Sequence, residues 1–186
     1  ALYGQDKRKW LSFQELGLGR VKEVAKSIKP LLKLSYHHLD SPLKTCFNYC
    51  ALFPKDHVIR KEQLLNLWMA QDYVVPEEGR SLQDASEEYF SILVRRCFFQ
   101  DVEKDEYGEI IACKIHDLMH DIAQEVAGKE IYATNSFTTD LDNKIRHLSF
   151  MSISMQWSFT RNKIRTCLSV SYVVDCMLVD KLLKHW

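Results

Sequence analysis

One stretch of this sequence constrains the fold more than any other, because a helical pattern gives way there to a strand pattern. From Ser81 to Cys97 the apolar residues recur with the 3.6-residue period of an α-helix. Two strand-like runs follow, Phe98–Val102 and Glu109–Ile115, on either side of the charged, glycine-containing segment Asp105–Gly108. This arrangement predicts a β-hairpin. A run of short helices that ends in a two-stranded hairpin is typical of a winged helix, in which the hairpin is the wing.

Shorter helices are predicted upstream of this segment. Val21–Leu39 has apolar residues at helical spacing around Pro30, and an internal proline predicts two helices that meet there. Ser41-Pro42 is typical of an N-cap followed by proline at the first helical position, opening a short helix through Cys50. Lys61–Gln71 predicts a helix with a wide apolar face that must pack on other elements.

Downstream of the hairpin the sequence predicts one more helix and then isolated strands. The helix begins near His116 and ends before Gly128. Arg146–Phe150 and Thr166–Val170 are strand-like and lie about 20 residues apart, which is compatible with the first turns of a leucine-rich-repeat solenoid. The predicted fold class is mainly α within the α+β class.

Composition limits the class of protein. With 186 residues, 46% of them hydrophobic, the chain can bury one core and begin a second, so we expect one or two domains. The 25 basic and 25 acidic residues give a net charge of zero, which counts against nucleic acid or an anionic membrane as a partner. No apolar run approaches the roughly 18 residues of a membrane span, so we expect a soluble protein.

The cysteines indicate the cellular compartment, and the chain ends indicate a fragment. The six cysteines are accompanied by no secretion signal, so we interpret them as reduced thiols of a cytoplasmic protein that mostly fill the core. The sequence starts at Ala1 instead of methionine, and the residues before Trp186 show no feature that is typical of the end of a protein. We therefore expect a fragment of a longer chain.

Three sequence blocks, in this order and at these separations, resemble the second half of the plant NB-ARC module of leucine-rich-repeat immune receptors. They are Leu32–Tyr36 leading into Cys46–Asp56, then Leu64–Ala70, then Lys114–Ala123. The most specific part is Cys-Phe-Asn-Tyr-Cys-Ala-Leu-Phe-Pro, and Trp68 in the second block favours the coiled-coil class of receptor. The resemblance covers roughly residues 2–126. It implies a helical subdomain ending at residue 39, a winged helix over residues 40–127, and a linker with incomplete first repeats over residues 128–186.

The resemblance implies a Met-His-Asp motif at the start of a helix, which would act as a sensor for the diphosphate of bound ADP. The literal string Met119-His120-Asp121 occurs here, but the family pattern aligns the motif with Ile115-His116-Asp117. The chain departs from that pattern at its first position, where isoleucine keeps the apolar packing role of methionine.

The resemblance implies that His116 donates a hydrogen bond to a phosphate oxygen. A helix start suits an anion, because unpaired backbone N–H groups and the helix dipole are directed at it. Asp117 is itself acidic, so we assign it an orienting and capping role beside His116. The alternative is that His116 is only a residue of the helix cap.

The partners expected from the resemblance lie mostly outside this chain. No Gly-x-x-x-x-Gly-Lys-Ser/Thr motif occurs, so ADP or ATP would be held by an upstream nucleotide-binding subdomain, and this chain alone would bind it weakly or not at all. The other expected partners are the downstream repeats in cis, a pathogen effector or guarded host protein, and further copies of the receptor on activation. The implied function is a switch that couples pathogen detection to defence signalling.

Metal binding and an aromatic platform are weighed against simpler interpretations. Cys113, His116 and His120 supply three potential zinc ligands where a closed structural site needs four, so we expect no metal. Cys46 and Cys50 are expected in the core. The same holds for aromatic residues that could be imagined as a binding platform, namely Trp10, Trp68, Tyr89, Phe90, Phe98 and Phe99.

The alternative function is a winged-helix DNA-binding module, with one helix in the major groove. The recognition-helix candidate, Ser81–Cys97, carries three acidic residues and the wing carries five. Such elements would repel phosphates. We expect no enzyme activity from this chain either, because no Ser/His/Asp set, carboxylate pair or metal cluster stands in a recognisable frame.

Overall fold

A computed structural model of the chain describes residues 21–134, 142–150 and 164–170, with side chains from Ile28 onward. Within these residues no helix is long and apolar enough to cross a membrane. The α-helices are α1 (Val21–His37), α2 (Ser41–Tyr49), α3 (Lys61–Ala70), α4 (Leu82–Arg95) and α5 (Asp117–Ala127). A 3-10 helix, Cys50–Leu52, continues α2. The strands are β1 (Ile59–Arg60), β2 (Phe99–Lys104), β3 (Ile110–Ile115), β4 (Ile131–Thr134), β5 (His147–Phe150) and β6 (Thr166–Ser169).

Helix α1 corrects one prediction, because it runs through Pro30 as a single helix instead of two. Its contacts with α5 lie on both sides of the proline. Lys29 and Lys33 lie one turn apart on either side of Pro30, and both meet the carboxylate of Glu125, the first at 3.0 Å. One carboxylate of α5 thus contacts the helix both before and after the proline.

Helix α2 begins at Ser41, with Asp40 in the N-cap position, so the predicted start is wrong by one residue. Pro42 lies in the first turn, where its missing N–H removes no helical hydrogen bond.

Helix α4 is fixed at its start by a capping box. The Ser81 hydroxyl accepts a hydrogen bond from the Asp84 N–H at 3.0 Å, and the Asp84 carboxylate accepts one from the Ser81 N–H at 3.4 Å. The helix buries one face, including Phe90 and Leu93. The predicted helix is confirmed, and its buried face lies against the rest of the domain.

The hairpin that follows α4 is confirmed as the wing. Strands β2 and β3 pair antiparallel, and β1 pairs with the other edge of β3, giving the order β1-β3-β2. The Asp105 carboxylate fixes the turn by accepting hydrogen bonds from the N–H groups of Tyr107 and Glu109, both at 2.9 Å. Gly108 supplies the positive φ of 85° that the turn requires. Helices around a small sheet with a wing confirm the α+β winged helix.

The five helices α1–α5 and the wing share one hydrophobic core. Phe47 meets Phe98 edge-on, with 4.8 Å between ring centroids. The core placement predicted for the aromatic residues is confirmed for Trp68, Phe90, Phe98 and Phe99, while Tyr89 is half-buried and Trp10 lies outside the described residues. Cys46, Cys50 and Cys113 are buried free thiols whose pKa values burial raises, so they fill the core as unreactive groups.

A second sheet follows the winged helix. The strands predicted near residues 146–150 and 166–170 are confirmed as β5 and β6, and β4, which was not predicted, joins them. All pair in parallel in the order β4-β5-β6. His147 lies opposite Thr166, and the two residues are 19 positions apart in the sequence. The domain boundaries proposed at residues 39 and 127 stay predictions.

A buried polar network joins the second sheet to the winged helix. The Tyr49 hydroxyl donates to the Thr166 hydroxyl oxygen at 3.1 Å, and the same oxygen lies 3.1 Å from His147 Nδ1. His147 Nε2 lies 3.0 Å from the Tyr73 hydroxyl. Both nitrogens of the imidazole therefore have a hydroxyl partner, which satisfies a polar ring that is only 5% exposed.

Acidification should loosen this network. Burial, aided by the positive charges of Arg165 and Arg146, lowers the pKa of His147 from 6.5 to about 4. As the pH falls, the unfolded state therefore binds the proton before the folded state does. The contribution of the neutral His147 to stability is fully present above about pH 6.5 and is lost as the pH falls towards 4. The loss should be on the order of 3 kcal/mol. Urea unfolding of the wild type and of His147→Gln between pH 7 and pH 4 checks this, and equal pH slopes for the two would contradict it.

Removal of the capping box should destabilise the domain measurably. Ser81→Ala leaves the Asp84 N–H without its acceptor, and we expect a loss of about 1 kcal/mol in the free energy of unfolding. Ser91→Ala is the matched control, because Ser91 is an exposed residue in the body of the same helix. Denaturant midpoints at constant m-value measure both, and a loss no larger than that of the control would count against the box.

Candidate functional site

The candidate site lies where the wing ends and helix α5 begins. Strand β3 ends at the buried Ile115, and the next residue, His116, is the N-cap of α5. The His116 N–H donates to the Phe98 carbonyl at 3.2 Å, and its carbonyl accepts the His120 N–H at 2.8 Å. His116 is thus anchored to the start of the hairpin on one side and to the first turn of α5 on the other.

The imidazole of His116 caps the helix itself. The Leu118 N–H donates to His116 Nδ1 at 3.2 Å. Because Nδ1 accepts this bond, the proton of the neutral ring lies on Nε2. The half-buried ring therefore presents one N–H donor, Nε2–H, at a helix start whose dipole favours an anion.

Asp117 follows as the first residue of α5 and is exposed. The capping hydrogen bond that we predicted in connection with Asp117 is made by the His116 ring instead. A carboxylate in the first turn still interacts favourably with the helix dipole. The orienting role of Asp117 towards His116 stays a prediction.

Lys55 is a charged neighbour of this helix start that sequence reasoning missed. Its ammonium group lies 2.5 Å from the Asp121 carboxylate. The hydrogen bond that Lys55 donates to the Asp121 carboxylate raises the pKa of Lys55, and the charges of Asp121, Asp117 and Asp56 raise it too. The available signal was its place in the Phe53–Asp56 turn of the most specific sequence block. Lys55 adds a positive charge beside a turn that is otherwise acidic.

His120, in the literal Met-His-Asp string, has a different environment. Its side chain is only 6% exposed, and Nε2 lies 2.8 Å from the Phe53 carbonyl oxygen. A carbonyl only accepts, so Nε2 carries the proton, and the buried Nδ1 has no hydrogen-bond partner among the described residues. Met119 is also buried, and Asp121 is paired with Lys55. The three residues of the string therefore serve packing and local pairing.

Three successive carbonyls before the site are also bound by side chains. The Gln124 amide donates to the Ala51 carbonyl at 2.6 Å, the Ser149 hydroxyl donates to the Leu52 carbonyl, and His120 donates to the Phe53 carbonyl. Sequence reasoning missed these contacts because Gln124 and Ser149 lie 73 and 97 residues away along the chain. Gln124 and His120 tie α5 to the end of the 3-10 helix, and Ser149 ties β5 to it.

Metal and DNA binding were both weighed from the sequence. Among the described residues, no group of three or more His, Cys, Asp or Glu side chains is placed to hold a metal ion. The surfaces that a DNA-binding winged helix would use are acidic. Helix α4 exposes Glu88 in its body and Asp84 in its first turn, and the wing exposes Asp101, Glu103, Glu106 and Glu109.

The fold and the helix start define a winged-helix domain with a histidine-capped helix after its wing. Residues 52–123 match the family model described as the winged helix domain of disease resistance proteins. The chain is 33% identical over 153 residues to Disease resistance protein RGA2 of Solanum bulbocastanum, covering 81% of this chain and 15% of that protein. It is 37% identical over 136 residues to Disease resistance RPP13-like protein 4 of Arabidopsis thaliana, covering 73% and 15%. It is 30% identical over 144 residues to Disease resistance protein RPM1 of Arabidopsis thaliana, covering 75% and 16%.

The chain therefore belongs to the plant disease resistance proteins that carry this winged-helix domain. The family predicted from the sequence blocks is confirmed. The chain spans about 15% of the length of these relatives, and the matched winged helix contains His116, Asp117, His120 and Lys55.

The two histidines of α5 should differ in their effect on stability. His120→Ala removes a buried side chain and leaves the Phe53 carbonyl unpaired, so we expect a loss of about 2–4 kcal/mol in the free energy of unfolding. His116→Ala removes only a cap and should lose about 0.5–1 kcal/mol. Urea unfolding of both variants measures the difference. A reversed order would show that His116, and not His120, is the structural histidine.

Proposed function

We propose that this winged helix is the ADP-responsive switch portion of a plant immune receptor, with His116 as the group that contacts the diphosphate. The observation that carries the proposal is the hydrogen bond from the Leu118 N–H to His116 Nδ1. It fixes the ring at a helix start with Nε2–H as its donor, which is the chemistry that a phosphate oxygen requires.

The nucleotide itself would be held by an upstream half of the parent protein, because this sequence has no P-loop. The winged helix would close over the bound ADP, and the His116 contact would exist only in the closed state. A ligand shifts a conformational equilibrium only as far as its contacts differ between the two states. The His116 contact would supply such a difference and favour the closed state while ADP is bound.

The sheet of β4, β5 and β6 is proposed to be the start of a leucine-rich-repeat solenoid. Its strands are short and parallel, and the 19-residue spacing between paired residues of β5 and β6 is close to the shortest repeats of that class. Parallel strands at a fixed spacing are what stacked repeats produce.

The whole receptor is proposed to work in the cytoplasm and to sense a pathogen effector or a guarded host protein through its repeats. The relatives are named disease resistance proteins, which supports a role in defence. Release of the closed state would allow exchange of ADP for ATP and oligomer assembly. The winged helix would have no enzymatic step of its own.

The test is ADP affinity by calorimetry for this chain and for a form extended upstream through the P-loop half. We expect only the extended form to bind. In that form, His116→Ala should weaken ADP at least about tenfold, because one hydrogen bond to a charged group contributes about 1.5–3 kcal/mol. His116→Asn should weaken ADP similarly while restoring the helix cap, because asparagine is a good N-cap residue.

The asparagine variant separates the two roles of the histidine. If His116→Asn regained full affinity together with stability, His116 would act only as a cap. If the extended form failed to bind, or if His120→Ala weakened ADP while His116→Ala was silent, the proposal would be wrong.

A further inference from the structure

The carbonyls of residues 51–53 lie between helix α5 and the second sheet and are bound by donors from both. A helix end leaves carbonyls without helical donors. Here Gln124 and His120, both of α5, bind the first and third, and Ser149 of β5 binds the second. One short segment therefore receives donors from α5 and from the second sheet in alternation.

The second sheet holds this segment at its other end as well. Tyr49, the last residue of α2, donates its hydroxyl proton to Thr166 of β6. Its ring also meets the His147 ring edge-on, with 5.1 Å between centroids. Residues 49–53 are thus bound to β5 and β6 through both Tyr49 and Leu52.

Water cannot replace these donors while the segment keeps its place. Ala51, Leu52 and Phe53 are each 0% exposed. If the second sheet moves away, the Leu52 carbonyl loses the Ser149 donor, and the side of the segment that the sheet had covered opens to water. A carbonyl that turns to meet this water changes the backbone of the segment and draws the adjacent Phe53 carbonyl away from His120.

The effect on His120 reaches the candidate site directly. The His120 N–H closes the first turn of α5 by donating to the His116 carbonyl at 2.8 Å. A change in the position of His120 therefore changes the turn that His116 caps.

We propose that residues 49–53 form a relay, through which displacement of the sheet of β4, β5 and β6 loosens the first turn of α5, where His116 lies. The consequence for nucleotide binding rests on the function proposed above for His116. The coupling itself is a property of this chain alone and needs no nucleotide.

Hydrogen exchange of the complete 186-residue chain tests the relay without nucleotide. Ser149→Ala and Tyr49→Phe each remove one hydroxyl that joins the relay to the second sheet. We expect the amides of residues 118–121 to exchange at least about fivefold faster in both variants, while the amides of β2 and β3 keep their protection. Ser91→Ala and Tyr107→Phe are the matched controls, because both residues are exposed and lie outside the relay.

Loss of protection confined to β5 and β6, with residues 118–121 unchanged, would overturn the relay. A general loss of folding would speed exchange in the wing as well. In that case Tyr73→Phe distinguishes the relay from a general loss of folding, because it removes only the partly buried hydroxyl opposite His147 Nε2. With this variant, faster exchange at residues 118–121 but not in the wing supports the relay, and unchanged exchange there overturns it.

A double-mutant cycle gives an independent measurement. Ser149→Ala and His120→Gln act on different carbonyls, so separate contacts predict that their effects on the unfolding equilibrium constant multiply. The relay predicts a departure of at least about threefold from the simple product. If His116→Ala leaves ADP affinity unchanged while this departure is observed, the proposed function fails and the relay stands. A simple product overturns the relay whatever His116 does.

Discussion

The structure depends on satisfying the backbone carbonyls at the end of the 3-10 helix that follows α2. Ala51, Leu52 and Phe53 are fully buried, so each carbonyl needs a protein donor. All three donors come from residues far along the chain, and the segment therefore takes its final position only when α5 and β5 are in place. This requirement explains why the sequence block around residues 46–56 is so specific. It encodes a packed junction with small thiols and aromatic rings in the core.

Features set by short-range patterns could be predicted from the sequence. Helix α4, the hairpin and α5 follow from apolar periodicity and turn chemistry, and each was found within a few residues. The continuous helix through Pro30 could not be predicted, because Glu125, which holds Lys29 and Lys33 together, is about 90 residues away. Strand β4 was missed, and its place in the sheet is set by its pairing with β5.

The candidate site shows the same division. The place of His116 at a helix start was readable from the sequence, because the strand pattern ends there and the helical pattern begins. That its ring caps the helix through Nδ1, and so keeps the proton on Nε2, needed the structure. The neighbouring Lys55 and the buried contact of His120 with Phe53 depend on long-range packing between α5 and the turn after the 3-10 helix. Packing thus separates two histidines, one turn apart, into a candidate ligand group and a core residue.

The central claim is that His116 Nε2–H, and not His120, contacts the nucleotide. Nitrogen NMR of the imidazole rings, in the form extended through the P-loop half, tests it directly when ADP is added. We predict that His116 Nε2 shifts on binding while His116 Nδ1 keeps the signature of a hydrogen-bond acceptor, and that the His120 ring signals stay in place. A shift of the His120 nitrogens with no change at His116 would contradict a contact between His116 and ADP.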